Sequence, residues 1–321
     1  MSQTAAGLLT TTESTTKPSA LLKRTLESMN QVILGKEQML RLALTCLIAR
    51  GHLLIEDQPG VGKTTLSHLL ARVLDLDFQR IQFTSDMLPA DILGVSVYDQ
   101  NSAHFKFHPG PVFSQLVLAD EVNRATPKAQ SALLEAMEEY QVTTEGETHP
   151  LPSPFFVIAT QNPSNQIGTF PLPESQLDRF LMRLEMGYPD QAHEKELLKG
   201  RDRRDILKEI DATMAPAQLL KIQKIVPQIH VSDALIDYLQ KILNFSRHSP
   251  YYRHGLSPRA GIAILRCAQA WALLDSRDHL LPEDIQAILP ATTNHRLLPS
   301  VEFSDQGHDE IVSHLLTVPL D

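Results

Sequence analysis

A glycine-bearing loop with the sequence PGVGKTT contains the residue types needed to hold a polyphosphate. Backbone N–H groups of such a loop, together with the N-terminus of the helix that follows, point at phosphate oxygens. The ammonium group of Lys63 would reach the β- and γ-phosphates, and the hydroxyl of Thr64 would complete the coordination of Mg²⁺. The predicted nucleotide-binding residues of this loop are Pro59, Gly60, Val61, Gly62, Lys63, Thr64 and Thr65.

The flanking sequence supplies the strand and the helix that must position this loop. The apolar run Leu53–Ile55 is typical of a buried parallel strand, and LSHLLARVLD, after the loop, has helical spacing. One residue departs from the strict P-loop pattern, because Asp57 stands where its first glycine is expected. That negative charge disfavours a polyphosphate unless the side chain points away. The alternative is a strand–helix turn that binds nothing, but packing alone does not explain why Lys63 and Thr64 follow the glycine.

Two further predicted strands end in polar residues. Residues 116–119 are followed by Asp120 and Glu121, and residues 155–160 by Gln161 and then Asn162. Ligands of open α/β sheets gather at the carboxyl ends of strands. We therefore expect Asp120 to hold Mg²⁺, Glu121 to polarise an attacking water, and Asn162 to orient that water or touch the γ-phosphate. Taken alone, a solvated acidic turn and a turn-forming Asn before proline explain the same residues.

The helical pattern of residues 21–50 is interrupted at Val32, Ile33 and Leu34, shortly before the strand of the phosphate loop. An apolar turn at this place could cover the flat ring of a purine base. An ordinary bend between two helices is the alternative interpretation.

Two arginines are further candidates. Arg179 precedes a predicted strand over residues 180–188. From the sequence alone, a local ion pair with the adjacent Asp178 is favoured over contact with the nucleotide of a neighbouring subunit. Arg259 lies in the first turn of a helix that Ser257 is suited to cap. The positive end of that helix, together with the arginine, would attract an anion.

The organisation of the chain changes near residue 189. Residues 1–20 are rich in Thr and Ser and predict a flexible tail. Residues 21–189 alternate strands and helices, with two predicted β-hairpins near 95–107 and 142–151 and a turn-rich segment over 86–94. Residues 190–321 show helical patterns, including 191–203, and no strand-like run.

Composition excludes several protein classes. The 321 residues are 42% hydrophobic and 21% charged, which is typical of a soluble globular protein. The net charge of −9 argues against a surface that coats nucleic acid. Cys46 and Cys267 lie far apart in helical patterns and are expected to be buried, reduced thiols. With no secretory signal and no membrane-spanning apolar run, the sequence predicts a cytoplasmic protein.

Together these stretches resemble the MoxR family of AAA+ ATPases. The resemblance covers about residues 21–321. The stretches that carry it, in order, are PGVGKTT, QFTSDMLPADILG, FKFHPGPVF, LADEVNRATPKAQSALLEAMEE, VIATQNP, LPESQLDRF and LSPRA. It implies an α/β core with a five-stranded parallel sheet and helices on both faces, followed by an α-helical lid domain.

The resemblance also implies functional roles. Lys63 and Thr64 correspond to Walker A, and Asp120 and Glu121 to Walker B. Asn162 corresponds to sensor 1, Arg259 to sensor 2 and Arg179 to an arginine finger that acts on the adjacent subunit; Arg124 also lies where a neighbour could be reached. The implied cofactors are ATP and Mg²⁺, with Lys63 and Arg259 offsetting phosphate charge.

At the level of assembly, the resemblance implies a homo-oligomeric ring, usually a hexamer, whose hairpins face the pore. It further implies chaperone-like remodelling or maturation of protein complexes, and a partner with a von Willebrand factor A domain. A nucleic-acid-dependent AAA+ motor is one alternative, disfavoured by the mixed charges of Asp99, Lys106, Glu145 and Glu147 at the hairpin tips. A nucleotide-gated binding module without hydrolysis is the other, disfavoured by Glu121 and Arg179.

Overall fold

The apolar runs of the sequence form strands, and the glycine, proline and acidic positions between them end those strands. The computed structural model describes residues 17–101, 103–162 and 168–320. In chain order the strands are β1 (Leu53–Glu56), β2 (Phe78–Gln82), β3 (Gly94–Asp99), β4 (His104–Pro109), β5 (Leu116–Asp120), β6 (Gln141–Thr144), β7 (Glu147–Pro150), β8 (Phe156–Gln161) and β9 (Met182–Leu184).

Five of these strands form a parallel sheet in the order β2-β5-β8-β1-β9. The register aligns Gln82 with Asp120 and Glu56 with Gln161, so the carboxyl ends of four strands meet at one edge. The remaining strands form two antiparallel hairpins, β3–β4 and β6–β7. The predicted five-stranded parallel sheet and both predicted hairpins are confirmed.

Helices cover both faces of the sheet. Those before the C-terminal region are α1 (Pro18–Val32), α2 (Glu37–Ile48), α3 (Lys63–Val73), α4 (Pro89–Leu93), α5 (Pro127–Glu139) and α6 (Glu174–Leu177). Alternate strand residues face opposite layers. Leu53 and Ile55 join the core formed with α1, α2 and α3, whereas Leu54 and Val117 join the core beneath α5.

The C-terminal region is helical, as predicted. Its helices are α7 (Gln191–Lys199), α8 (Arg203–Glu209), α9 (Pro216–Ile225), α10 (Asp233–His248), α11 (Pro258–Leu274), α12 (Pro282–Thr293) and α13 (His308–Ser313). Residues of α11 and α12 share one continuous hydrophobic core with α1, α2 and α3. Among the described residues, no helix has the length and apolar character required to cross a bilayer.

Two predicted irregular segments contain helical residues in the structure. The predicted tail 1–20 falls outside the described residues up to position 16, but Pro18–Ala20 already belong to α1, where the proline suits the first turn. The predicted turn-rich segment 86–94 contains α4, because Asp91 accepts a hydrogen bond from the N–H of Leu88 and caps a short helix.

Two other elements are shorter than predicted. The strand expected over 180–188 is confined to β9, since Gly187 takes a left-handed φ of 60° and the N–H groups of 186 and 187 are bonded to a side chain instead of a strand. The helix expected over 191–203 is divided into α7 and α8. Asp202 accepts a hydrogen bond from the N–H of Arg204 and starts the second helix.

Candidate active site

The glycine loop connects the end of β1 to the start of α3. Gly60 and Gly62 have φ values of 87° and 105°, a left-handed region that glycine enters at little cost. Gly62 is the N-cap residue of α3, and Lys63 is its first helical residue. The free N–H groups of this first turn therefore face the carboxyl edge of the sheet.

Lys63 is nearly buried, with 9% of its surface exposed. Its ammonium group donates to the main-chain oxygen of Asp57 at 2.6 Å and to Oδ1 of Asn162 at 3.0 Å. Burial lowers the pKa of Lys63, and the nearby carboxylates of Asp57, Asp120 and Glu121 oppose that shift. The surrounding negative charge thus favours a charged ammonium group in position for a phosphate.

The two acids at the end of β5 are held by Thr160 of β8. The buried Thr160 hydroxyl donates to Oδ1 of Asp120 at 2.6 Å and accepts from the N–H of Glu121 at 2.9 Å. Arg80 of β2 donates to the other oxygen, Oδ2 of Asp120, at 2.7 Å. One threonine therefore fixes both the Asp120 carboxylate and the turn that follows it.

Glu121 takes a left-handed backbone conformation, with φ 58° and ψ 47°, which is uncommon for a residue with a side chain. This turn directs its carboxylate to the amide of Asn162, whose Nδ2 donates to Oε1 at 3.2 Å. Gln82 and Arg124 contact the other oxygen at 3.0 Å each. Asn162 therefore links Lys63 and Glu121, as expected for groups at one reaction centre.

Asp57 does point away from the predicted phosphate position. Its Oδ2 accepts hydrogen bonds from the N–H groups of Met186 and Gly187, at 2.7 and 2.6 Å, and Oδ1 accepts from the N–H of Gln58. The negative charge of the Asp57 carboxylate is therefore stabilised by backbone N–H donors and directed away from the predicted phosphate position.

The predicted base-covering turn lies between α1 and α2. Val32 is 1% exposed and packs in the main core, while Ile33 and Leu34 are half-buried. The ring of His193 in α7 packs against Gly35, leaving no room for a side chain there. The turn is thus bordered by the C-terminal helical region, and its contact with a purine stays a prediction.

The two remaining candidates, Arg179 and Arg259, lie together elsewhere. Arg179 pairs with Glu138 at 3.0 Å, and Arg259 pairs with the other oxygen of the same carboxylate at 2.9 Å. Glu138 is near the end of α5, which starts at the carboxyl edge of the sheet and runs back past it. Close by, His52 at the start of β1 is bonded to the main-chain oxygen of Met137.

Both arginines therefore lie at the amino edge of the sheet, a strand length of roughly 15 Å from the carboxyl edge. The structure does not bring Arg259 to Lys63 within one subunit, because α11 starts at the amino edge, and the role of Arg259 toward a phosphate stays a prediction. The local pair of Arg179 with Asp178 is wrong. The Nε of Arg296, three residues after the end of α12, donates to Asp178 at 2.6 Å instead.

Some residues of the site were missed from the sequence. Thr160 lies inside an apolar strand run, Arg80 on an edge strand, and Glu138 on the exposed face of a helix. Only the strand-end position of Thr160, opposite Asp120 in a parallel sheet, gave a usable signal. The pairs made by Arg80 and Glu138 depend on the order of strands and on helix packing, which the sequence pattern does not specify.

Comparison with known proteins matches this architecture. The family described as "ATPase family associated with various cellular activities (AAA)" matches residues 52–182, and the AAA lid domain matches residues 244–315. YeaC of Bacillus subtilis, an uncharacterized protein, is 43% identical over 92% of this chain and 93% of its own. Chaperone MoxR1 of Mycobacterium tuberculosis is 38% identical over 91% of this chain and 79% of its own.

A solved structure supports the same assignment. The crystal structure of a candidate ATPase from Cytophaga hutchinsonii has a TM-score of 0.86 and 36% identity, and covers 94% of this chain and 95% of that one. The relatives extend over both the sheet and the C-terminal helices, so the similarity is not confined to the phosphate loop. The chain belongs to the MoxR family of AAA+ ATPases.

Proposed function

We propose that this ATPase hydrolyses ATP in a site shared by two adjacent subunits of a ring. The observation that carries the proposal is the separation of the candidate residues. Lys63, Asn162 and Glu121 are hydrogen-bonded at the carboxyl edge of the sheet, while Arg179 and Arg259 are paired with Glu138 at the amino edge. A head-to-tail arrangement brings the amino edge of one copy to the carboxyl edge of the next, and such contacts close into rings.

Within one subunit, the loop residues 59–65 hold the phosphates and Lys63 exchanges its present partners for phosphate oxygens. Glu121 accepts a proton from the attacking water, and Asn162 orients that water. The turn Val32–Leu34 covers the base. The strained conformation of Glu121 supports this role, because such conformations concentrate at functional sites.

The residues present suit a magnesium ion. Thr64 and Asp120 offer the oxygen ligands that Mg²⁺ prefers. In the part of the chain that the structure describes, no group of three or more His, Cys, Asp or Glu residues could hold a metal alone. Bound there, Mg²⁺ would neutralise charge on the phosphates, with Thr64 and Asp120 as its protein ligands.

The adjacent subunit supplies Arg179 as the finger that neutralises charge in the transition state, a contribution of roughly 10³-fold or more where such fingers operate. Arg259 lies beside it and joins the same phosphates in trans. Arg124, paired with Glu121 of its own subunit, is close to the same boundary.

In the cell, we infer chaperone-like remodelling of protein complexes in the cytoplasm, in agreement with the name of the M. tuberculosis relative. The β3–β4 hairpin exposes Phe105 and Tyr98, at 68% and 51%, and Phe107 stacks on His149 of the second hairpin at 4.0 Å. Exposed apolar hairpins facing the pore of a hexamer suit a polypeptide client. A partner with a von Willebrand factor A domain belongs to the same proposal.

Two substitutions test the site. Lys63→Ala should abolish binding of Mg·ATP in calorimetry, whereas Glu121→Gln should bind Mg·ATP with near wild-type affinity and turn it over at least about 100-fold more slowly. Unchanged ATP affinity in Lys63→Ala would remove the loop from the mechanism. Wild-type turnover by Glu121→Gln would exclude this carboxylate as the base.

A further inference from the structure

Asp57, the residue that departs from the strict P-loop pattern, has no part in the function proposed above. Its carboxylate nevertheless accepts three backbone hydrogen bonds, from Gln58, Met186 and Gly187, at 2.7, 2.7 and 2.6 Å. Hydrogen bonds to an ionised acceptor are among the strongest in proteins. The first residue of the phosphate loop is thereby fixed to the chain that leaves β9.

The same residue also contacts the catalytic lysine. The main-chain oxygen of Asp57 accepts a hydrogen bond from Lys63 at 2.6 Å, and its N–H donates to the oxygen of Gln161 on β8. A phosphate that binds Lys63 competes with the Asp57 oxygen for the ammonium group. Release of that bond frees the oxygen of the peptide between Asp57 and Gln58. The N–H of the same peptide is bonded to the Asp57 carboxylate, which also accepts from residues 186 and 187.

Residues 186–188 lead directly into the C-terminal helical region. The buried Met186 places its methyl 3.5 Å from the position that a side chain at Gly62 would take, and Lys36 donates to the oxygen of Tyr188 at 2.7 Å. Three residues later α7 begins, and its His193 packs against Gly35 of the base-covering turn. This connection therefore contacts both ends of the proposed nucleotide site.

We propose that Asp57 is a positioning residue that transmits phosphate binding at Lys63 to the connection 186–189 and so to α7. The carboxylate thus has a use that a glycine at this position cannot serve. This inference rests on the proposed phosphate site, because it requires a phosphate to displace Lys63 from the Asp57 oxygen.

The test compares Asp57→Gly, which restores the strict loop pattern, with Asp57→Asn. An amide oxygen in place of Oδ2 can still accept from both Met186 and Gly187. Asp57→Gly should keep Mg·ATP affinity within about threefold of wild type while kcat falls at least about tenfold. Hydrogen exchange of the 186–187 amides should rise, and the change of α7 exchange on binding a slowly hydrolysed ATP analogue should disappear. Asp57→Asn should restore most of kcat and of the α7 response.

Wild-type kcat together with a wild-type α7 response in Asp57→Gly would overturn the inference. So would loss of Mg·ATP binding in that variant, because Asp57 would then support the phosphate cradle itself, or an Asp57→Asn variant as defective as the glycine variant. If Asp57→Gly does not fold, Asp57→Ala takes its place with the same expectations. The Lys63→Ala variant separates the two proposals. Normal ATP binding by Lys63→Ala would refute the phosphate site. Hydrogen exchange of the 186–187 amides in the Asp57 variants, measured without nucleotide, still tests whether the Asp57 carboxylate holds this connection.

Discussion

Replacing Thr160 by valine removes one hydroxyl from the centre of the site while keeping the shape of the side chain. The hydroxyl donates to Asp120 at 2.6 Å and accepts from the N–H of Glu121 at 2.9 Å, in a position with no solvent exposure. Thr160→Val therefore leaves a carboxylate oxygen and a backbone N–H without these partners. A hydrogen bond to a charged group contributes roughly 1.5–3 kcal/mol, and an unpaired buried donor costs a further ~1–3 kcal/mol.

A total loss of about 3 kcal/mol in the free energy of unfolding lowers the melting temperature by about 4–5 °C for a chain of 321 residues, because the entropy of unfolding is ~2.1 cal/mol/K per residue. The effect on catalysis is separate, because Glu121 loses the bond that fixes its left-handed turn. Misplacement that raises the barrier by about 1.4–2.7 kcal/mol lowers kcat by about 10- to 100-fold at a temperature where both proteins are folded.

Thr160→Ser is the matched control, because it keeps the hydroxyl and loses one methyl group, worth about 1 kcal/mol of burial. The assays are thermal unfolding by circular dichroism and steady-state phosphate release under saturating Mg·ATP. The serine variant should retain near wild-type kcat. Wild-type kcat in the valine variant, or equal loss of kcat in both variants, would refute the role given to this hydroxyl.

Two other predictions concern the amino edge of the sheet. Glu138→Gln should raise ATP turnover up to about fivefold. Each partly exposed pair of Glu138 with Arg179 or Arg259 contributes only ~0.2–1 kcal/mol, and in the proposed ring it must break before the arginine contacts a phosphate of the adjacent subunit. A lower rate in this variant would mean that Glu138 instead holds the arginines in their active positions. Burial lowers the pKa of His52 to about 4, below its value of 6.5 in the unfolded chain. Between pH 4 and pH 6.5 the unfolded chain therefore binds more protons, so the free energy of unfolding falls as the pH falls through this range. The loss between pH 7 and pH 5 is about 2 kcal/mol, and His52→Gln should remove that part of the pH dependence of chemical denaturation; an unchanged slope would contradict it.

The fold follows largely from local patterns. The apolar runs at Leu53–Ile55 and 116–119 specify buried parallel strands, and PGVGKTT specifies the loop between strand and helix. The acids and the amide at the strand ends are brought together because parallel strands end at one edge of a sheet. Within one subunit, the contacts among Lys63, Asn162 and Glu121 could therefore be anticipated.

The position of the arginines could not be anticipated from the sequence. Arg259 opens a helix in a region whose packing on the sheet depends on the shared core of α11, α12 and α2, and no pattern in the chain specifies that packing. The same is true of the shortened β9. The end of β9 is set by the Asp57 carboxylate, which bonds residues 186 and 187; these lie 129 and 130 positions further along the chain. Long-range contacts of single side chains override local propensity in both cases.

In the proposed ring, one subunit binds the phosphates and the adjacent subunit completes the reaction. The most direct measurement is ATP turnover by an equal mixture of Lys63→Ala and Arg179→Ala proteins, each inactive alone. Random assembly makes about one interface in four complete, with an intact loop facing an intact arginine. Mixing should therefore restore up to about a quarter of wild-type turnover. Turnover that stays at the level of the separate variants, in rings shown to contain both proteins, would contradict it.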